Sequence, residues 1–342
     1  MSTKIAINGF GRIGRAVFKQ ALELEELEVV AINDLTTIDN IAYLLRYDSA
    51  YGPYNKKVET EVSGGANYLV VDGKKYPYLS QKEPAELPWK ELDVDVVVES
   101  TGFFTSTEKS SAHLDAGAKR VVISAPAKDE ETPHPLAGTN KEELSNKELA
   151  KITSNASCTT NAVVPVAAIM LNEPGIVKSM MTTVHGYTAT QSLVDGPNSK
   201  DHTRGRAAAM NIIPSHTGAA LAAAKAVPDL SDKFDAVAIR VPVIVGSIID
   251  FTFLAKRKTS TEEINDILRN AAKEEKWEGV FTVTEEPLVS TDIIGNTHAS
   301  IADLTFTRVV DGDMVKIMAW YDNEWGYTGA LLKHVVDVGK LV

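Results

Sequence analysis

The sequence predicts two domains of different class: an α/β half built on a parallel sheet, then an α+β half with a large mixed or antiparallel sheet. Three observations carry this. The chain has 342 residues, beyond the ~250–300 at which a single hydrophobic core stops growing. In its first part short apolar runs alternate with segments of helical period, the pattern of a parallel sheet covered on both faces. In its second part the β-rich runs lengthen, several alternate apolar with polar residues, and longer loops separate them.

Taken in order, residues 4–8 read as a buried strand, 9–14 as a glycine turn, and 15–24 as a helix with Ala16, Val17, Gln20, Ala21 and Leu24 at helical spacing. Residues 29–33 form a second apolar strand. Residues 94–99 and 120–124 are further strands, and between them 107–117 suits a helix ending at a glycine. In the second half, 179–185, 236–241, 247–254, 304–309 and 315–321 read as strands. Ser260 and Glu263 form a capping-box pattern ahead of Ile264, Ile267, Leu268 and Ala271 on one helical face. Residues 327–338 read as a closing helix. No internal repeat is present. Composition gives no clean linker, and the 145–153 region, before SNASC, is the best boundary.

Hydrophobic residues make up 44% and charged residues 24%, ordinary globular usage, which excludes a disordered or collagen-like chain. The net charge is −11 and opposes binding to nucleic acid or anionic lipid. The longest apolar run, 162–171, contains Pro165 and is too short to span a bilayer. The first residues lack the pattern of a signal peptide. The expectation is a soluble, cytoplasmic protein. Its one cysteine, Cys158, excludes an internal disulfide and a cysteine-based zinc site.

Gly9-Phe10-Gly11-Arg12-Ile13-Gly14 fits G-x-G-x-x-G between a strand and a helix. The glycines suit a tight turn, close backbone approach to a pyrophosphate, and close helix–strand packing. The helix start then offers N–H groups and a positive dipole end to phosphate. Asp34, at the end of the second strand, stands where an acid accepts hydrogen bonds from a ribose. Its charge repels a 2′-phosphate, and no arginine follows at 35 or 36, so NAD is expected rather than NADP. The first domain is therefore expected to be of the Rossmann dinucleotide-binding type.

Cys158 sits in SNASCTTN, a polar stretch leading into the apolar run. A thiol near a helix start has its pKa lowered by the dipole. An inert buried cysteine is the alternative, against which the polar flanks count. His185, at a strand end, is a candidate base, although pattern alone does not select it from seven histidines. Thr188, Arg204, Arg206, Thr217, Gly218 and Arg240 form a candidate anion-binding group. Arg240 interrupts an apolar strand, where a charge needs a partner; a structural ion pair is the other reading.

At these residues the sequence closely resembles the glyceraldehyde-3-phosphate dehydrogenases. The matching segments are INGFGRIGR (7–15), IND (32–34), ESTG (99–102), ISAPAK (123–128), SNASCTTN (154–161), TVHGYTATQ (183–191), RAAAMNIIP (206–214), TG (217–218), RVP (240–242), EPLVSTDIIGN (286–296) and WYDNEWGY (320–327). The resemblance implies an NAD-binding domain over 1–157, with a C-terminal helix at 324–342 packing back on it, and a catalytic domain over 158–323. It implies a homotetramer in which the 187–213 loop approaches a neighbour's cofactor. It also implies glycolytic oxidation of D-glyceraldehyde 3-phosphate, with NAD and phosphate, to 1,3-bisphosphoglycerate.

Carried over residue by residue, the resemblance makes Cys158 the nucleophile and His185 the base that keeps the thiol ionised. Gly9, Gly11, Arg12, Ile13, Gly14, Asp34, Ser124 and Asn323 become NAD contacts, with Asn323 orienting the nicotinamide carboxamide. Thr188 and Arg240 match the site for the substrate's phosphate. Ser157, Thr159, Thr217 and Gly218 match that for the attacking phosphate. Leu35 and Pro197 fit the NAD-preferring pattern. The chain departs from the family where Gly186 replaces a usual alanine, Ala162 a usual second cysteine, and Lys82-Glu83-Pro84 a usual R-x-P. It departs again where 243–246 reads VIVG instead of T-P-N-V, and where Thr139 replaces a usual valine. The runner-up function is hydrolytic erythrose-4-phosphate dehydrogenase, followed by a non-catalytic binding role. Thr217-Gly218 and the HGYT sequence favour the phosphate-using form.

Overall fold

The computed structural model describes residues 2–199 and 201–342. The chain divides into two compact units. One comprises the residues up to Pro135, Lys141–Ala156 and Leu331–Val342; the other comprises Leu136–Asn140 and Ser157–Ala330.

The first unit contains β1 (Thr3–Asn8), α1 (Arg12–Ala21), β2 (Leu27–Asn33), α2 (Ile38–Arg46), the two-residue strands β3 (Tyr47–Asp48) and β4 (Gly52–Pro53), β5 (Val58–Ser63), β6 (Ala66–Val71), β7 (Lys74–Leu79), β8 (Val96–Glu99), α3 (Thr107–Asp115), β9 (Arg120–Ile123), α4 (Lys141–Leu144) and β10 (Ile152–Ser154). Its sheet runs β10-β9-β8-β1-β2-β7-β6-β5. The strands are parallel from β10 to β7, as expected for strands joined by helical crossovers, and antiparallel from β7 to β5.

The antiparallel edge follows from two tight turns. Gly64 and Gly65 join β5 to β6, and Asp72 and Gly73 join β6 to β7, all four with positive φ. That backbone matches the twist of a two-residue hairpin. Helix α1 begins at Arg12 rather than at the expected Arg15, so Gly14 is its third residue. A Cβ on Gly14 would lie 2.0 Å from Gly9 O. The first helical turn thus presses on the strand end, and only glycine fits there.

The buried acid Glu99 ends β8 and needs partners. Its carboxylate accepts from Asn8 Nδ2 at 2.6 Å, Thr101 N at 2.8 Å, the Thr101 hydroxyl, and His113 Nε2 at 3.1 Å. Trp89 Nε1 donates to His113 Nδ1 at 3.0 Å, so the imidazole proton lies on Nε2 and points at Glu99. Asn33 Nδ2 donates to Asn8 Oδ1 at 2.7 Å. This chain of bonds ties together the C-terminal ends of β8, β1 and β2, beside the glycine turn.

The second unit contains α5 (Cys158–Asn172), β11 (Ile176–Gly186), β12 (Ile213–His216), α6 (Ala219–Ala226), β13 (Phe234–Val241), β14 (Ser247–Ala255), α7 (Thr261–Ala271), β15 (Phe281–Thr284), β16 (Ser300–Val310) and β17 (Met314–Tyr321); α8 (Trp325–Gly339) begins in it. The sheet order is β12-β13-β11-β14-β17-β16-β15, of mixed sense. Helix α5 is buried almost all round and packs against β14, β16 and β17, which explains why its sequence is apolar on every face. At the start of α7, Ser260 Oγ accepts from Glu263 N at 3.2 Å, the expected cap. No helix among the described residues is long and apolar enough to cross a membrane, and none of their His, Cys, Asp and Glu side chains cluster as a metal site.

Candidate active site

Ala156, the last residue of the first unit's 141–156 segment, has a left-handed backbone (φ +52°), and Ser157 opens the second unit's next segment. Ser157 is the N-cap of α5, and its Oγ accepts from Thr160 N at 3.1 Å. Cys158 is then the first helical residue. Its Sγ lies 3.4 Å from His185 Nε2. His185 is 2% exposed near the end of β11, where the parallel register sets it opposite Arg240 of β13. That register is the answer to an arginine in an apolar strand: its Nη1 lies 2.6 Å from His185 Nδ1 and donates to Gly186 O at 3.0 Å.

His185 Nδ1 is also 2.6 Å from Gly186 O. Two proton arrangements follow. With Arg240 donating to Nδ1, the ring proton sits on Nε2. With Arg240 withdrawn, Nδ1–H donates to Gly186 O, and Nε2 becomes a base facing the thiol.

Burial holds the imidazole pKa down to about 3, with the charges of Arg240 and Arg204 acting the same way. Burial pushes the Cys158 thiol up, against Arg240 and the donors of Thr159 and of Cys158 itself. The helix start alone predicts a lowered thiol; burial acts the other way on Cys158 and outweighs it. Behind the pair, Tyr321 OH bonds Thr159 Oγ1 at 3.0 Å and Thr183 Oγ1 at 2.7 Å, and its ring meets His185 edge-on.

Arg204 stands within the same electrostatic field. Its Nε donates to Ser215 Oγ at 2.8 Å and pairs with Asp201 at 3.3 Å. Arg206 does not join it; it pairs with Asp195 on the exposed surface. Thr188 Oγ1 bonds Thr190 Oγ1 at 3.0 Å. Gly218 is the N-cap of α6 with no side-chain cap of its own, and Thr217 Oγ1 accepts from Ala219 N at 3.2 Å. Asn323 is 5% exposed. Its Oδ1 accepts from Gly246 N at 3.2 Å and Ser247 Oγ at 2.9 Å.

Gly186 lies against the 243–246 segment: a Cβ there would sit 2.9 Å from Val243 O and 3.2 Å from Ile244 O. Sequence reading assigned no role to Tyr321 or Ser247. The signal for Tyr321 was its place on the buried side of an alternating strand. That for Ser247 was a hydroxyl opening an apolar strand.

In the first unit, Gly9 has φ +91°, and a Cβ on it would meet Thr101 N at 2.6 Å. A Cβ on Gly11 would meet nothing within 4 Å, and no side chain caps α1. Open space before an uncapped helix start fits a pyrophosphate. Asp34 accepts from Phe10 N at 2.7 Å and Thr36 N at 2.8 Å, which fixes its carboxylate at the end of β2. Arg12 extends to Asp48 at 2.9 Å, so its guanidinium is paired within the unit. Ile13 follows it in α1, and Ser124 is half-buried just beyond β9. These residues fit NAD.

A family model described as the NAD binding domain of glyceraldehyde 3-phosphate dehydrogenase matches residues 3–107, and one for the C-terminal domain matches 157–323. Among curated proteins named glyceraldehyde-3-phosphate dehydrogenase, that of Geobacillus stearothermophilus is 47% identical over 342 residues, covering 100% of this chain and 98% of the relative. That of Zymomonas mobilis is 45% identical and covers 99% of each. That of Neurospora crassa is 44% identical, covering 100% of this chain and 98% of the relative. A parallel sheet with its glycine turn, a mixed sheet bearing a paired thiol and imidazole, and full-length identity of this order have one explanation: the chain is an NAD-dependent enzyme and belongs to the glyceraldehyde 3-phosphate dehydrogenase family.

Proposed function

We propose that this enzyme converts D-glyceraldehyde 3-phosphate and inorganic phosphate to 1,3-bisphosphoglycerate, with Cys158 as nucleophile and His185 as base. The 3.4 Å approach of Sγ and Nε2 carries the reading. Sγ attacks the aldehyde carbon while His185 Nε2 takes the thiol proton. The N–H of Cys158, at the helix start, stabilises the oxyanion of the thiohemiacetal. Gly9, Gly11, Arg12, Ile13, Gly14, Asp34, Ser124 and Asn323 would hold NAD, which would supply the hydride acceptor. The carbon is left on Cys158 as a thioester. A phosphate oxygen then attacks it, the sulfur leaves as thiolate, and His185 returns a proton.

Arg240 and Thr188 would hold the substrate's phosphate; Ser157, Thr159, Thr217 and Gly218 would hold the attacking one. The buried arginine gives this division a second purpose. An anion that draws Arg240 from Nδ1 lets that nitrogen donate to Gly186 O, and so makes Nε2 basic when substrate arrives. Chain assembly as a homotetramer and a cytoplasmic location complete the reading; sedimentation at four times the 37.0 kDa chain mass is the expected result for the first.

The test is NADH absorbance with reduced protein, NAD and the aldehyde, with and without phosphate. Sustained turnover is expected only with phosphate, and Cys158→Ala abolishes it while NAD binding persists. Sustained turnover without phosphate means that water resolves the thioester, and hydrolytic action on erythrose 4-phosphate takes first place.

A further inference from the structure

We infer that Ser247 is a positioning residue that fixes which face of the nicotinamide is presented, by locking the Asn323 amide in one orientation. The inference rests on the reading that Asn323 orients the nicotinamide carboxamide.

Three hydrogen bonds determine the orientation. Gly186 N–H donates to Ser247 Oγ at 3.2 Å. That lone pair is spent, and the hydroxyl keeps one proton to give. It lies 2.9 Å from the Asn323 side-chain atom that also receives Gly246 N–H at 3.2 Å. A backbone N–H and a hydroxyl both donating to one amide atom require that atom to be oxygen. Oδ1 then has both lone pairs occupied, and Nδ2 makes no hydrogen bond to the described residues, so its hydrogens, in a residue only 5% exposed, are free to meet an acceptor that arrives. A carboxamide oxygen on a planar ring supplies one. Were the amide to flip, Gly246 N–H would face an NH2 group.

The same hydroxyl touches the proton-handling side of the site. Gly186 is held on its N–H by Ser247, and the next N–H, of Tyr187, donates to Val243 O at 3.0 Å. Its carbonyl is the oxygen beside His185 Nδ1. Ser247 itself is 1% exposed and begins β14 opposite Tyr321. One buried hydroxyl therefore sets both the backbone that carries the imidazole's partner and the amide that meets the cofactor ring. Substrate and cofactor geometry are linked through it.

The test compares Ser247→Ala, Ser247→Thr and Asn323→Ala with the parent, each checked by thermal denaturation. Two quantities are read: the NAD dissociation constant by calorimetry, and the face of hydride transfer using NAD deuterated at ring C4. Ser247→Ala is expected to weaken NAD binding about tenfold, the cost of one buried hydrogen bond, and to mix the two faces. Ser247→Thr, which keeps the hydroxyl, restores a single face. Native affinity and a single face in Ser247→Ala, with Asn323→Ala impaired, overturn the role of Ser247 alone. Native affinity and face selectivity in Asn323→Ala overturn the reading of Asn323 beneath it. Should alanine at 247 prevent folding, Ser247→Cys keeps the bulk, loses the strong donor, and is judged by the same outcomes.

Discussion

At Cys158 two influences oppose each other. The α5 start and the Arg240 charge favour thiolate, while burial favours thiol and wins. Removing Arg240 therefore has a definite sign. In Arg240→Leu the thiol loses a favourable charge and its pKa rises further, while the imidazole loses a repulsive one and its pKa rises from about 3. Alkylation of Cys158 by iodoacetamide in cofactor-free protein should accelerate only at higher pH than in the parent. KM for the aldehyde phosphate should rise at least about tenfold, as expected when a charge-assisted phosphate contact is lost. An alkylation profile that moves to lower pH would refute the electrostatic assignment. The residue-level chemistry was partly legible: a lone thiol in a polar stretch and an arginine in an apolar strand each pointed to the site. The pairing of Cys158 with His185 came from the family resemblance and not from residue pattern, because their 3.4 Å approach depends on where α5 and β11 end.

At the scale of elements, β1, β2, β8 and β9 of the first sheet and β11, β13, β14, β16 and β17 of the second were readable to within a few residues, since buried apolar runs are a strong local signal. The short β10, β12 and β15 and the helices α2, α4 and α6 were not, and two further features escaped for identifiable reasons. In the sequence the first turn of α1 reads as part of the glycine turn, because glycine's low helix propensity hides a position where only close packing explains it. The β5–β7 meander went unread although its two-glycine and Asp-Gly turns stood in the sequence. Element α8 carries a pH prediction. His334 Nδ1 lies 3.2 Å from Asn155 Oδ1 and Nε2 lies 2.9 Å from Thr153 Oγ1, all within the first unit. Burial holds its pKa to about 3, against about 6.5 when unfolded. Between those values the unfolded chain binds more protons, so stability is full above about 6.5 and falls as pH drops. The slope for this group approaches ~1.4 kcal/mol per pH unit well below the unfolded pKa, which makes about 2 kcal/mol between pH 7 and pH 5. Urea denaturation at pH 7, 6 and 5 should show His334→Asn flattening the parent's decline by that amount; equal slopes would exclude this group.

For the whole molecule, a net charge of −11 coexists with the positive charges of Arg204 and Arg240 beside His185; on the proposed reading an anionic substrate would approach against the mean field and be held by this local one. Cofactor choice can be read from global stability. NAD at one hundred times its dissociation constant should add ~2.7 kcal/mol and raise the unfolding temperature. NADP at the same concentration should add much less, because Asp34 opposes its 2′-phosphate, and Asp34→Ala should narrow the difference in a thermal-shift comparison. Gly186 has a consequence for how the site can be altered. Its missing Cβ admits the carbonyls of Val243 and Ile244, which a methyl group there would meet at 2.9 and 3.2 Å. Residue 186 and the 243–246 backbone therefore form one steric unit: a side chain at 186 requires that backbone to move, and neither can be exchanged without regard to the other.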